Sequence, residues 1–306
     1  VSSELIAELT GAALAPGTRY EYDRRAKLFE DWCNTHALQA WPSEERTIAR
    51  YVHSLETQSL QHMQATISAI MHGHRQRGLA SPVADDGLVR NYMAGAARRG
   101  AVKPQVLPSE APIRFGDALA VLRHFTGTTS RQTLKKLAYL SLGVFHDLRN
   151  DNLGQLEKRD IDVDEAGLLV RLRRSKSDQV GKGREVWLPH LKDCPAECPA
   201  CVVVRHLAEL DEERLFTSAS DLAPTSADGL TRLSGTKWLR ELCAVSGVLI
   251  DEPISTRSMR SGCTTSMYEA GVPEHEIAAF LGHKRAQTTR RYDRRGEAER
   301  TLHLDV

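Results

Sequence analysis

Apolar residues recur at helical spacing through the first hundred positions: Tyr22, Ala26, Phe29 and Cys33 share one stripe, and Leu60, Met63, Ile67, Ile70 and Met71 form another. Steps of three and four residues place such side chains on one face of an α-helix, where they can be buried together. "PSEERTIARYVHSLE", from Pro42, sets a Pro and a Ser ahead of two glutamates, as helix starts do, and "DDGLVRNYMAGAARRG", from Asp85, predicts a further short helix. Leu134, Leu137, Val144 and Leu148 keep the helical step, and then the period changes. Ile161 and Val163, then Leu168, Val170 and Leu172, then Val186 and Leu188 alternate with polar residues, with "DEAG" and "SDQVGKG" between the runs. Period two marks strands with one buried face, and the short turns join them antiparallel. Helical patterns resume from about Cys201. The expected fold is mainly α with a small antiparallel β-sheet.

Pro104, Pro108 and Pro112 fall in "KPQVLPSEAP", which has no apolar periodicity. This predicts a linker over 104–112, between a helical domain at 1–103 and a mixed domain at 113–306 that ends in a tail. With 41% hydrophobic residues, 306 positions suffice for two cores. No run approaches the roughly 18 apolar residues of a membrane helix, and the N-terminal stretch lacks the basic start and apolar run of a secretion signal. The expected location is the cytoplasm, with no membrane partner. Six irregularly placed cysteines read as reduced thiols. A net charge of +1 does not by itself call for a polyanionic partner, so local basic patches would have to meet one.

The densest such patch is "LGHKRAQTTRRYDR", where His283 lies nine positions ahead of Tyr292 among Lys284, Arg285, Arg290, Arg291, Arg294 and Arg295. A phenol is a weak nucleophile, with a pKa near 10, but nearby cations lower the cost of its phenolate. Cations also attract a phosphodiester and stabilise the extra charge of its pentacovalent transition state. Taken alone, the stretch reads first as a solvated basic helix with an incidental tyrosine.

"RSMRSGCTTSMYEAGVPEHEIAAFLGH" changes the balance, because it sets Arg260 ahead of the LGH of His283. The arrangement resembles the tyrosine recombinases, the phage-integrase family of site-specific DNA strand transferases. In that family an Arg sits three residues after a His or Lys, an LGH follows, and the nucleophilic Tyr lies nine residues beyond that His. Arg260, His283 and Tyr292 match these positions. "LGVFHDLRNDNLGQLEKRDI" looks like the family's first arginine box, with Arg149 as its arginine, and "LRRSKSDQ" resembles the hairpin that carries its lysine, here Lys176. The likeness spans about residues 110–295. It extends more weakly upstream, where "GTRYEYDRRAKLFEDWC" and "ISAIMHGHRQRGL" look like the family's helical, SAM-like core-binding domain.

The resemblance implies a DNA strand transferase acting through a 3′-phosphotyrosyl intermediate, with no cofactor. Arg149 and Arg260 would fork onto the scissile phosphate, His283 would add a hydrogen bond, Tyr292 would attack, and Lys176 would protonate the departing 5′ oxygen. Arg19, Arg24, Arg25, Arg75, Arg77, Lys284, Arg285, Arg290 and Arg291 would meet the double-stranded DNA. The expected assembly is a homotetramer on paired sites and a monomer when free; no accessory DNA-bending protein is named by the sequence. Two departures stand out. Arg257 occupies the usual His or Lys position, where a guanidinium can clamp phosphate but cannot share in proton transfer. "RNDN" replaces the usual residues after the first arginine. The alternative reading is a catalytically impaired relative that only binds DNA.

"HLKDCPAECPACVVVRHL" holds Cys194, Cys198 and Cys201 between His190 and His206, a set able to hold zinc although its spacing is not that of a standard finger. The expectation is no metal, with Cys194, Cys198, Cys201 and His206 as the ligands if one binds.

Overall fold

The structure, a computed structural model, describes residues 14, 16–99, 110–173, 183–217, 230–250, 253–283 and 286–295. The chain divides into two compact units, 1–108 and 109–306. The expected linker, 104–112, lies mostly outside the described residues, as does the C-terminal tail.

The first unit is built from α1 (Pro16–Thr35), α2 (Glu45–Ser54), α3 (Leu60–Gln76) and α4 (Leu88–Arg98). Helix α1 packs on α3 and α2 on α4. Phe29, Cys33, Ile48, Val52, Met63, Ile70 and Val89 form its core, so both predicted stripes point inward. Ser59 opens α3 by accepting from the His62 N–H, a side-chain cap for a donor the helix itself cannot satisfy. Buried His74 is also satisfied. It accepts from the Ser43 N–H at 2.9 Å through Nε2 and donates to the Ile70 carbonyl at 2.9 Å through Nδ1.

The second unit runs α5 (Phe115–His124), α6 (Arg131–Phe145), α7 (Asn150–Leu153), a 3-10 turn (Lys158–Asp160), β1 (Ile161–Val163), β2 (Gly167–Leu172), β3 (Arg184–Pro189), α8 (Pro199–Ala208), α9 (Arg232–Ser246), α10 (Arg257–Glu269), α11 (Glu274–Phe280) and α12 (Ala286–Arg290). Helix α6 is buried on every side from Leu137 to Val144 and touches α5, α8, α9 and α10. A helix apolar all round belongs at the centre of a bundle, and α6 occupies that place.

The sheet has the order β1-β2-β3 and is antiparallel throughout, with Leu168 opposite Leu188 and Val170 opposite Val186. These four side chains are buried. Val163 differs: alternation puts it inside with Ile161, yet it is half exposed at the end of a three-residue edge strand. The β2–β3 connection at 174–182, which holds Lys176, lies outside the described residues.

Helix α10 is held by the segment before α5. The Ile113 N–H donates to the Ser258 carbonyl at 3.0 Å, and a Cβ on Gly262 would meet the Ile113 carbonyl oxygen at 1.7 Å. Only glycine allows that approach.

Candidate active site

After α6 the chain turns sharply at Asp147, whose φ of 55° is left-handed, a conformation that short Asp side chains tolerate better than most. Leu148 then plugs the core, and Arg149 becomes the N-cap of α7. The "LR" pair thus divides its work, Leu148 anchoring the turn and Arg149 facing the site.

Arg260 sits one turn into α10 and is almost wholly buried. Its Nη1 lies 2.9 Å from Asp147 Oδ2, and its Nη2 reaches His283 Nε2 at 2.5 Å and the Leu281 carbonyl at 3.3 Å. Arg184, from the start of β3, donates to the Phe280 carbonyl and adds a third guanidinium to the group around Asp147. Burial pushes the Asp147 carboxyl up to about 7. Arg260, Arg149 and Arg184 pull it the other way but do not outweigh desolvation, despite the short Arg260 contact.

The LGH signature has a structural cause. Helix α11 ends at Phe280 with Leu281 as its C-cap, Gly282 takes φ 66°, the Gly282 N–H donates to the Ala279 carbonyl at 3.1 Å, and the His283 N–H donates to the Ala278 carbonyl at 2.8 Å. This pair of bonds is a Schellman cap, which needs a left-handed residue and fixes the direction of the next one. His283 is that next residue. A guanidinium only donates, so His283 Nε2 accepts from Arg260, and its Nδ1–H donates to buried Thr289 Oγ1 at 2.9 Å. Burial, then Arg260, Arg149 and Arg184, depress His283 to about 4 and keep its ring neutral.

Tyr292 completes the group from the turn after α12. Its ring stacks on His283, with centroids 5.9 Å apart and planes 18° from parallel, and Arg260 Cζ lies 5.0 Å from its centroid. Thr265 of α10 binds this turn twice, donating to the Tyr292 carbonyl at 3.4 Å and accepting from the Arg294 N–H at 3.0 Å. Arg149 is near enough to feel both Arg260 and Tyr292, and burial with the Arg260 charge lowers its pKa. Two guanidiniums, a neutral imidazole and a phenol therefore share one partly desolvated place. Such a set can bind a phosphodiester and stabilise charge that builds on it.

The structure brings Arg149, Arg260, His283 and Tyr292 together. Arg257 lies elsewhere, its side chain 61% exposed and its Nη1 3.5 Å from Glu110 Oε1. Lys176, Lys284 and Arg285 lie outside the described residues. Of the expected DNA-contacting arginines, Arg19, Arg75 and Arg291 are exposed. Arg25 is taken up inside its unit, bonding Thr66 Oγ1 at 2.9 Å and His62 Nε2 at 3.2 Å, because it faces α3. Arg24 pairs with Glu21, Arg77 lies over the Trp41 ring at 4.2 Å, and Arg290 is clasped by Glu274. Arg295, three residues after the tyrosine, is buried against Asp293 with two bonds of 3.1 Å.

Sequence reasoning missed Asp147, Arg184 and Thr289. Asp147 carried a faint signal, a carboxylate two residues before an arginine-box Arg; Arg184 and Thr289 had none. Two readings of the cysteine cluster need correction. His206 is no ligand: it is buried, stacks on Phe216 and bonds the Leu215 carbonyl at 2.9 Å through Nε2. His190 stands with the cysteines instead. Nor do all six cysteines stand apart as separate thiols, since the Cys194 and Cys201 sulfurs are in bonding contact. Both follow from the turn over residues 190–198, which folds His190 and Cys194 back onto the start of α8.

The model of the phage integrase family matches residues 117–299. An integrase/recombinase xerD homolog from Selenomonas ruminantium is 22% identical over 274 residues, covering 88% of this chain and 78% of the relative. Among solved structures, the XerH site-specific recombinase bound to its palindromic difH substrate, in a post-cleavage complex, aligns with a TM-score of 0.58 at 13% identity, covering 92% of this chain and 76% of that one. The Tn1549 transposon integrase in complex with a circular intermediate DNA also gives a TM-score of 0.58, at 12% identity, covering 99% of this chain and 98% of that one. These structures share the fold, mostly helical with a small antiparallel sheet, while the family model covers the stretch that supplies every residue of the site. The chain belongs to the phage integrase family and is a tyrosine-type site-specific recombinase.

Proposed function

We propose that the protein cuts and rejoins double-stranded DNA through a 3′-phosphotyrosyl intermediate. One observation carries this reading: Tyr292 stacks on a neutral His283 beneath the Arg260 guanidinium, with Arg149 within electrostatic reach. Arg149 and Arg260 hold the non-bridging oxygens, and His283, anchored to Thr289 through Nδ1, braces the Arg260 guanidinium through Nε2. The Tyr292 oxygen gives up its proton to solvent and attacks phosphorus in line, the bond from phosphorus to the 5′ oxygen breaks, and Lys176 supplies the proton that oxygen needs. The phosphotyrosine keeps the energy of the broken bond, so rejoining by a second 5′ hydroxyl needs neither ATP nor a metal ion. Arg257, tied to Glu110, acts as an outer phosphate clamp when DNA is bound.

The helical first unit grips DNA through exposed arginines such as Arg19 and Arg75, so affinity falls with added salt. Four protomers act on two paired sites in the cytoplasm, and the free protein is a monomer. The solved relatives bound to DNA support a DNA substrate. The experiment is Tyr292→Phe with a nicked duplex taken from the flanks of the protein's own coding region. Wild type is expected to leave protein-linked 3′ ends, and the variant is expected to bind without forming them. A covalent adduct that survives the substitution removes Tyr292 as nucleophile. Wild type that binds but never links indicates the alternative, a relative that grips DNA without cutting it.

A further inference from the structure

We propose that His190, Cys194, Cys198 and Cys201 hold one structural zinc ion. The four donor atoms lie within 4.8 Å of one another. His190 Nδ1 is 3.7 Å from the Cys194 sulfur, 3.7 Å from that of Cys198 and 3.4 Å from that of Cys201. Zinc bonds of about 2.3 Å to sulfur and about 2.0 Å to nitrogen, set tetrahedrally, put donors roughly 3.5–3.8 Å apart. The three His190 distances fit that geometry, whereas the Cys194 and Cys201 sulfurs lie in contact and would have to part to admit the ion.

A disulfide between Cys194 and Cys201 fits less well. Their Cα atoms are 7.4 Å apart, beyond the span of about 4.4–6.8 Å that bridged pairs usually occupy. An ion between the sulfurs suits the wider backbone and also accounts for the imidazole and third thiol aimed at the same point.

The backbone supports the same reading. Asp193 and Cys194 both take left-handed conformations, at φ 61° and 41°, and Cys194 N–H donates to the Leu191 carbonyl at 2.9 Å. The turn so made points Cys194 back toward His190. The Leu191 N–H donates to the Cys198 sulfur at 3.3 Å, the kind of outer bond that steadies a metal-bound thiolate. Cys198 is the N-cap of α8 and Cys201 lies in its first turn, where unsatisfied N–H groups favour negative sulfur. Soft thiolates with one imidazole select zinc over hard cations, and four protein ligands leave no open position for catalysis. The ion would therefore clip the end of β3 to the start of α8. It stands apart from strand transfer, and β3 carries Arg184 at its other end.

The test is zinc content of the full chain, purified under reducing conditions without chelator from zinc-supplemented cells. About one equivalent is expected, and less than about a tenth overturns the proposal. His190→Ala and Cys194→Ser, neither of them in the core, should each bring zinc to background while Cys33→Ala retains it. Zinc that persists in both ligand variants refutes this ligand set. Exchange with cobalt should produce thiolate-to-metal absorption and the visible bands of a tetrahedral site, and octahedral bands count against it. If the protein prepared without added oxidant lacks zinc and has lost two hydrogens by intact mass, a Cys194–Cys201 disulfide replaces the metal.

Discussion

Gly262→Ala tests how Arg260 is presented to the site. The added methyl would lie 1.7 Å from the Ile113 carbonyl oxygen and 2.3 Å from its carbon, where real contacts stay beyond 3.0 Å. Ile113 cannot yield easily, since it is fully buried and its N–H is bonded to the Ser258 carbonyl at 3.0 Å. Overpacking costs about 1–3 kcal/mol, and pulling that bond apart adds about 1–3 kcal/mol. Better helix propensity returns about 1 kcal/mol. The net loss is about 1–5 kcal/mol, which for a unit of this size lowers Tm by roughly 2–20 °C. Scanning fluorimetry reads the shift, with Gly116→Ala as control, because a methyl there meets nothing within 4 Å. Arg260 lies two residues away on the same helix, so cleavage by Gly262→Ala should also fall well below wild type at temperatures where the variant is folded. A variant that melts with wild type and cleaves normally refutes the argument that this close approach seats the arginine.

His283, depressed to about 4, predicts a pH effect. Between its ordinary value near 6.5 and 4 the unfolded chain holds the extra proton, so stability is full above 6.5 and is lost as pH falls toward 4. Asp147, raised to about 7, has the opposite sign, its contribution being lost as pH rises through 7. Comparing urea midpoints of wild type and His283→Gln isolates the histidine: the variant should lose less than wild type on acidification, and parallel curves refute the assignment. Arg257→His should leave cleavage intact or faster, because the Arg257 guanidinium is largely exposed, its contact with Glu110 is a long 3.5 Å, and the imidazole can share in proton transfer. Collapse of cleavage shows instead that the guanidinium is required.

The local pattern was legible in the sequence wherever the cause is local. Helical stripes identified the Phe29 and Met63 faces because burial follows a period of 3.6, and alternation identified β2 and β3 because a sheet face follows a period of two. The LGH spacing was readable because a Schellman cap has a glycine requirement of its own. Val163 escaped because an edge strand has no second neighbour to bury its last residue. His206 was mistaken for a ligand because sequence neighbours do not reveal which of two histidines faces the cysteines.

The cations around Tyr292 show most clearly where sequence reading stops. Those beside it in the chain are largely spoken for, Arg290 by Glu274 and Arg295 by Asp293. The charges that surround its ring come from Arg260 on α10 and Arg149 after α6, with Arg184 of β3 behind them and Asp147 among them. By itself the chain determined its helices, its strands, the turn that aims His283, and the kinds of group available for phosphate chemistry. Only the tertiary structure decided which guanidiniums face the phenol and which are neutralised. Electrostatic interaction depends on distance through space and on burial, and neither is set by separation along the chain.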